Sequence, residues 1–551
     1  MPLPLEKFYQ WEKEIPKKLY FSQPFGNGKI IDYSWQRVGD EVRRVASYLK
    51  SLNLEPGSNI GIISKNCAHW IMSDLAIWMA GHVSVPLYPT LTAESVDQIL
   101  THSSCKVLFV GKLDDWETMA PGVPKDVACL SYPLSPKNDF LSWDEILKNN
   151  EPMQENPTRS PEELSTIIYT SGTTGIPKGV VHTFGGMAAT ADKATELYEI
   201  TGDDRIISYL PLSHVAERMV VELGSLYQSM QVYFAESLDT FAADLQRCRP
   251  TIFFAVPRIW VKFQMGVFAK MPEKKLTRML KIPIISGIVK RKILGGLGLD
   301  QARMALSGAA PISQAVLTWY KRLGLEILEV YGMTENMAYS HGTRSGAQRV
   351  GFVGQGYPGV MTKFSSEGEV LVKSPGTMIG YYKEPEKTAE VLTEDGYLRT
   401  GDLGFMDSEG NLKITGRVKE LFKTAKGKYV APAPIEGKLL DCEHVEQVCV
   451  TGCILPQPIC LLNLSEAARG KLSDPKFKEA LIKELGELRS EVNGQIDKHE
   501  QMRCLVVTKE EWTVENGCLT PTLKLKRNIL DDKYGSMFEA WYATGDAVAW
   551  E

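Results

Sequence analysis

The sequence predicts an α/β protein: a large N-terminal domain of parallel-rich βα sheets with a small antiparallel β subdomain, followed by a smaller α+β C-terminal domain. Three observations carry this reading. Between Tyr33 and Val330, short β-branched runs alternate with helix-length periodic segments, the pattern of βα units feeding largely parallel sheets. From Glu367 to Thr415 the apolar period shortens to two, with glycine turns between the runs, which suits an antiparallel sheet. Beyond Gly416 the composition changes once more. At 551 residues the chain also exceeds what one compact core accommodates.

Taken in order, Ser34 is placed to cap an amphipathic helix that reaches Leu52 and is ended by Pro56-Gly57. Residues 59–64 read as a strand, 68–80 as a helix, 83–87 as a strand, 93–102 as a helix and 106–110 as a strand. Residues 112–160, rich in Pro, Asp and Lys, read as surface connection. After an apolar strand at 165–169 the alternation resumes: strand 205–210, helix 217–227, strand 231–234, helix 240–247, strand 251–255. Strand 302–306, helix 313–323 and strand 325–330 complete it.

Composition narrows the class. Apolar residues make up 44% and charged residues 23%, with a net charge of −5, so no global basic excess is available to neutralise a nucleic-acid backbone. The apolar stretch at 70–81 is too short for a membrane span and contains Asp74. The N-terminus lacks the pattern of a signal peptide. Ten cysteines are scattered without a C-x-x-C pair, which points to a reducing, cytoplasmic compartment. Cys449 and Cys453, near His444, invite a metal reading, but Cys449 lies in an apolar strand-like run that favours a buried thiol.

The most informative stretch follows strand 165–169. Thr170, Ser171, Gly172, Thr173, Thr174 and Gly175 are six consecutive small residues, offering closely spaced N–H groups, four hydroxyls and a main chain that a ligand can approach. Lys178 adds a mobile positive charge. These are the requirements of a polyphosphate cradle, although the Gly-Lys-Ser/Thr of a Walker loop is missing. From Tyr169 to Gly179, Tyr-Thr-Ser-Gly-Thr-Thr-Gly-x-Pro-Lys-Gly resembles, unbroken over eleven residues, the ATP-phosphate loop of the adenylate-forming superfamily of acyl-CoA synthetases, luciferases and peptide-synthetase adenylation domains.

Further motifs fall in that family's order. Ser307-Gly308-Ala309-Ala310-Pro311 resembles the turn that receives adenine. In Glu329-Val330-Tyr331-Gly332-Met333-Thr334-Glu335, Tyr331 can stack on a base, Thr334 can bond the α-phosphate and Glu335 can hold Mg²⁺. Asp402, in Tyr397-Leu398-Arg399-Thr400-Gly401-Asp402, suits the ribose hydroxyls. Gly416-Arg417-Val418-Lys419-Glu420 resembles the segment where an Arg contacts nucleotide and a hinge begins, with Lys419 at the pivot and Gly427 on the CoA side. Two departures stand beside it: an extra residue between Lys423 and Gly427, and Pro434 where Glu is usual. In Leu519-Thr520-Pro521-Thr522-Leu523-Lys524-Leu525-Lys526-Arg527 the Lys–Arg spacing singles out Lys524 as the catalytic lysine, and Leu523 in place of Gly is a feature of the long-chain branch. Leu210-Pro211-Leu212-Ser213-His214 and Ala255-Val256-Pro257-Arg258-Ile259-Trp260 look like the fatty-acyl form too, with His214 where carboxylate and acyl chain meet.

The resemblance implies an adenylation domain over residues 1–416 (β-rich subdomain about 340–416), a hinge at 417–421 and a mobile C-terminal domain over 422–551. It implies a long-chain fatty-acid–CoA ligase that uses Mg²⁺, ATP and CoA. An acyl-AMP ligase serving a carrier-protein phosphopantetheine, and a catalytically silent lipid-binding relative, are the alternatives; intact Glu335, Asp402, Arg417 and Lys524 argue against the latter. Finally, residues 270–292 hold eight basic residues against one acid, interleaved with Leu, Met and Ile. Such a segment can lie on anionic lipid, or simply cover a sheet with a solvated face.

Overall fold

The computed structural model describes residues 1–170, 177–440, 442–514, 516–520 and 524–551. The fold is α/β. Its main sheet has eight strands in the order Gly380–Tyr381, Lys178–Thr183, Leu164–Thr170, Val83–Leu87, Asn59–Ile63, Val107–Val110, Ala128–Ser131, Leu141–Ser142. From Leu164–Thr170 to the last strand the pairing is parallel; the first two junctions are antiparallel. The central strands Asn59–Ile63, Val83–Leu87 and Val107–Val110 are buried at every position, as expected for parallel strands covered on both faces. The helix Ala68–Met79 is buried all round and so lacks a polar stripe, although it carries Asp74. Ser34 caps the helix Trp35–Ser51 by accepting from the Arg37 amide.

A second sheet runs Ile252–Ala255, Met304–Ser307, Ile327–Tyr331, His341–Gly342, Gln355–Gly356, parallel over its first three strands. A third joins Arg205–Ser208, Gln231–Phe234, Leu19–Pro24 and Ile30–Ser34. The period-two region forms the antiparallel sheet Met361–Phe364, Glu369–Lys373, Leu398–Met406, Leu412–Arg417. Beyond it, a mixed sheet of Val445–Thr451, Ile459–Leu464, Leu505–Val507 and Val548–Trp550 packs against Pro475–Asn493 and the helices near the C-terminus.

Two expectations need correction. Residues 112–160 are not mere surface connection: they add Ala128–Ser131 and Leu141–Ser142 to the main sheet and bury Trp116, Leu130, Tyr132 and Trp143. Their polar composition masks a few large apolar side chains that do the packing. The helix expected at 217–227 starts earlier, at Val215, and winds as a π-helix over Arg218–Leu223 before resuming at Gly224–Gln228. That widened turn accommodates Arg218, which is fully buried against Asp74, Glu222 and Thr166.

Candidate active site

Strands Leu164–Thr170 and Lys178–Thr183 form a hairpin in which Thr170 pairs with Lys178, so these two residues flank the expected phosphate loop. Ser171, Gly172, Thr173, Thr174 and Gly175 lie outside the described residues. Lys178 Nζ sits 5.1 Å above the Tyr381 ring, and the Tyr381 hydroxyl donates to Glu335 Oε1 at 2.9 Å. Tyr381 reaches this place because Gly380–Tyr381 pairs with Val181 and Val180 as the outermost strand of the main sheet.

Thr334 and Glu335 form one short 3₁₀ turn, Thr334–Asn336, at the end of Ile327–Tyr331. The turn is fixed on three sides. His182 Nε2 lies 2.7 Å from the Thr334 carbonyl, Met378 N donates to the Glu335 carbonyl, and Asn336 Oδ1 accepts from Met333 N. Gly332 has no room for a side chain, since a Cβ would lie 2.5 Å from the Ala338 carbonyl carbon. Gly308 is likewise confined by Val330, while Ala309, at φ 68°, and Ala310 are exposed.

Asp402 is gripped at both oxygens. The Tyr331 hydroxyl donates to Oδ2 at 2.6 Å and Arg417 Nε to Oδ1 at 2.9 Å, and burial beside this carboxylate pushes the Tyr331 phenol well up. The Lys524 amide donates to Thr520 Oγ1 at 3.1 Å. The lysine side chain is exposed yet lies near the charges of Arg417, Asp402, Glu335 and Glu420. Desolvation there and the Arg417 charge lower its pKa, while Asp402, Glu335 and Glu420 act in the opposite sense. His214 feels the same lysine: burial and Lys524 bring its imidazole down to about 4. Because His214 Nδ1 accepts from Ala216 N, its neutral form carries the proton on Nε2.

Lys524, His214, Glu335, Asp402, Arg417 and Tyr331 therefore share one electrostatic neighbourhood, although Lys524 is the only one of them from beyond residue 417. Lys419 is exposed in the short turn Val418–Glu420. Gly427, at φ +76°, closes the turn between Phe422–Lys423 and Tyr429–Val430, which absorbs the extra residue. Pro434 lies in the first turn of Pro432–Leu439, where a missing N–H costs nothing.

Three residues escaped the sequence reading. Tyr381 and His182 orient the Glu335 turn from positions 46 and 152 residues away from their partners, so no local spacing could mark them. Glu329 is buried with Oε2 unpartnered among the described residues, and burial raises its carboxyl to about 7. Its place in the motif that ends at Glu335 was the available signal.

Similarity to known proteins agrees with this geometry. Residues 10–382 match the family described as AMP-binding enzyme. Long-chain-fatty-acid–CoA ligase 5 of Rattus norvegicus is 31% identical, covering 92% of this chain and 84% of its own. The long-chain-fatty-acid–CoA ligase FadD15 of Mycobacterium bovis is 28% identical, covering 97% and 96%. Among solved structures, the adenylation domain of a carboxylate reductase from Mycobacterium chelonae superposes with a TM-score of 0.81 at 22% identity, covering 98% and 91%. The anthranilate–CoA ligase AuaEII, solved with anthranoyl-AMP, gives 0.79 at 20% identity and covers 98% of each chain.

The buried histidines generate a stability prediction. His182, like His214, is held at about 4 chiefly by burial, so both stay neutral in the folded protein while the unfolded chain protonates near pH 6.5. Stability is therefore complete above about pH 6.5 and declines as pH falls towards 4, by up to about 2 kcal/mol per histidine between about pH 6.5 and 5. Urea titrations at those two pH values should show a smaller loss in His182→Gln than in wild type; an identical loss contradicts the assignment.

Proposed function

We propose, for a chain that belongs to the AMP-binding enzyme family, that it activates a long-chain fatty acid with ATP to acyl-AMP and pyrophosphate, then transfers the acyl group to coenzyme A. The observation that carries this reading is the convergence of Lys524 with Glu335, Asp402, Arg417 and His214. The curated relatives named for long-chain fatty acids support the substrate.

A carboxylate resists thiol attack because oxide would have to leave; adenylation supplies a good leaving group. Asp402, oriented by Tyr331 and Arg417, accepts the ribose hydroxyls. Thr334 donates to the α-phosphate, and Thr170, Lys178 and the intervening loop hold the β- and γ-phosphates. The donor set fits Mg²⁺: Tyr381 occupies Glu335 Oε1, and the other oxygen of this hard carboxylate would hold the ion. When bound there, Mg²⁺ supplies neutralisation of phosphate charge. Lys524 neutralises the α-phosphate as pyrophosphate departs, and the neutral His214 Nε2–H orients the carboxylate. For thiol attack Lys524 must withdraw, so the division into 1–416, a 417–421 hinge and a mobile 422–551 is part of the proposal.

Pyrophosphate release across acids of two to twenty carbons, with and without CoA, tests the substrate. kcat/KM should climb with chain length, each methylene buried on binding contributing about 0.8 kcal/mol, until added carbons are no longer buried. Preference for acetate or an aromatic acid contradicts the reading, and acyl transfer to a carrier protein but not to CoA favours the alternative acceptor.

The two half-reactions test the domain motion. Lys524→Ala should nearly abolish acyl-AMP formation yet leave thioester formation from supplied acyl-AMP near normal. Lys419→Pro, which fixes φ at the pivot and removes an N–H, should do the reverse. Equal loss of both steps in a normally folded Lys524→Ala protein contradicts the scheme.

The proposal extends to location: cytoplasmic, with peripheral contact to anionic membrane through residues 270–292. Among the described residues no helix is long and apolar enough to cross a membrane. Helix Pro283–Gly296 and the residue before it nevertheless expose Ile284 (82%), Ile288 (65%) and Ile282 (49%) beside the cationic Arg291 and Lys292. A recess of about 590 Å³ next to them is lined by Lys290, Arg291 and the ion pair of Arg249 with Asp300. Apolar insertion flanked by cations is the chemistry of an anionic bilayer surface. Co-sedimentation with anionic vesicles should fall sharply on Ile284→Ser/Ile288→Ser and on changing Lys290, Arg291 and Lys292 to Glu; unaltered binding overturns this part.

A further inference from the structure

The loop between helix Pro432–Leu439 and strand Val445–Thr451 carries Cys442 and His444, and helix Pro475–Asn493 presents Glu484 to them. His444 Nδ1 lies 3.0 and 3.2 Å from the two Glu484 oxygens, and the Cys442 thiol donates to Glu484 Oε1 at 3.5 Å. All three donor atoms fall within 4.8 Å of one another; Cys442 and His444 are partly buried, and the Glu484 side chain is 45% exposed. The Phe477 ring meets the His444 ring edge-on, with centroids 5.5 Å apart at 80°, which helps fix the imidazole plane.

These separations can be set against the edges of a coordination tetrahedron. With bonds of about 2.0 Å to nitrogen and oxygen and about 2.3 Å to sulfur, neighbouring ligand atoms are about 3.3 to 3.5 Å apart. Taking Glu484 Oε1 as the ligand oxygen, its distances of 3.2 Å to His444 Nδ1 and 3.5 Å to the Cys442 sulfur already lie within a few tenths of an ångström of those edges. The donors are one thiol, one imidazole and one carboxylate, a set that suits a borderline cation and is poorly matched to Mg²⁺ or Ca²⁺. We propose that Cys442, His444 and Glu484 form a Zn²⁺ site, with the fourth position open to water. The inference is independent of the adenylation chemistry, since none of these residues approaches Glu335 or Lys524 in any contact described above.

Binding requires the thiolate. The entering cation displaces the thiol proton to solvent. The bound ion would replace a hydrogen-bonded contact by three coordinate bonds and pin the loop at 442–444 to the helix Pro475–Asn493. Cys449 and Cys453, the pair that the sequence first suggested, take no part: Cys449 is fully buried in Val445–Thr451, where its sulfur accepts from Arg527 at 3.5 Å.

The full-length protein, freed of metal by chelator and dialysis, is titrated with Zn²⁺ alone, and separately with Co²⁺ as a spectroscopic probe. Wild type should bind one equivalent of Zn²⁺, and Co²⁺ should give a thiolate-to-metal charge-transfer band. Cys442→Ser should abolish that band and weaken Zn²⁺ binding by more than the roughly 10- to 100-fold that an outer-shell change alone costs. His444→Ala, measured alongside in case the serine variant folds poorly, should weaken binding similarly, whereas Cys453→Ser should change nothing. Mg²⁺-supported acyl-AMP formation should be unchanged in all three and reports that they are folded. Absence of a Zn²⁺ equivalent in wild type, or a Co²⁺ band that survives Cys442→Ser, overturns the proposal and leaves the trio as a hydrogen-bonded contact.

Discussion

The fully buried cation Arg218 ties the interior together. It donates Nε to Glu222 at 2.9 Å and Nη1 to the Thr166 hydroxyl at 2.6 Å, pairs with Asp74 through Nη2, and lies 5.4 and 5.9 Å from the Trp70 and Trp78 rings. Its partners come from three elements: the all-buried helix, the strand entering the phosphate loop and the π-helical segment that follows His214. Two carboxylates against one guanidinium would leave excess negative charge in a low-dielectric interior. Burial pushes the Glu222 carboxyl well up, Arg218 pulls it back down and the neighbouring Asp74 adds to the rise. Removing one member of such a buried pair costs roughly 3–5 kcal/mol, because the remaining charge has no solvent to return to. The strand Leu164–Thr170 and the segment Arg218–Leu223 are thereby held in one relative position.

Around that fixed interior, the candidate site is built from charges that compensate one another across the chain. Glu420 lies 4.0 Å from Arg417 and 3.5 Å from Arg527, and Arg527 in turn forks onto Glu436. Acid and base alternate from the antiparallel sheet, across the turn Val418–Glu420, into the C-terminal sheet region. Lys524 enters a cleft already balanced by Asp402, Glu335 and Glu420, which offsets part of its desolvation.

The fold was legible wherever a residue's role depends on its own neighbours in sequence. Largely apolar parallel strands, the Ser34 cap and the period-two region need only local chemistry, and the structure contains each of them. Glu335, Asp402 and Lys524 were singled out by their place in motifs resembling the family's, and the structure brings them into one neighbourhood, while their roles belong to the proposal. Tyr381 and His182 were not, because their work is done across a sheet on a turn far away in sequence. Residues 112–160 misled by average composition, since Trp143 and Tyr132 bury themselves among polar neighbours. The π-helical turn at Arg218 was invisible to a 3.6-residue period, which cannot register one widened turn.

The outermost strand of the main sheet has a dynamic consequence. Gly380–Tyr381 is only two residues long and is held to Lys178–Thr183 by a few backbone bonds, among them Ile379 N to Val181 O and Tyr382 N to Gly179 O. Short margins of a sheet belong to the parts of a protein that open most readily, well below the threshold for global unfolding. The hydroxyl that holds Glu335 hangs from such a margin. How long that carboxylate keeps its aim is therefore governed by the fraying lifetime of a sheet edge, and a mutation that loosens the edge would blur the site without altering a single residue in it.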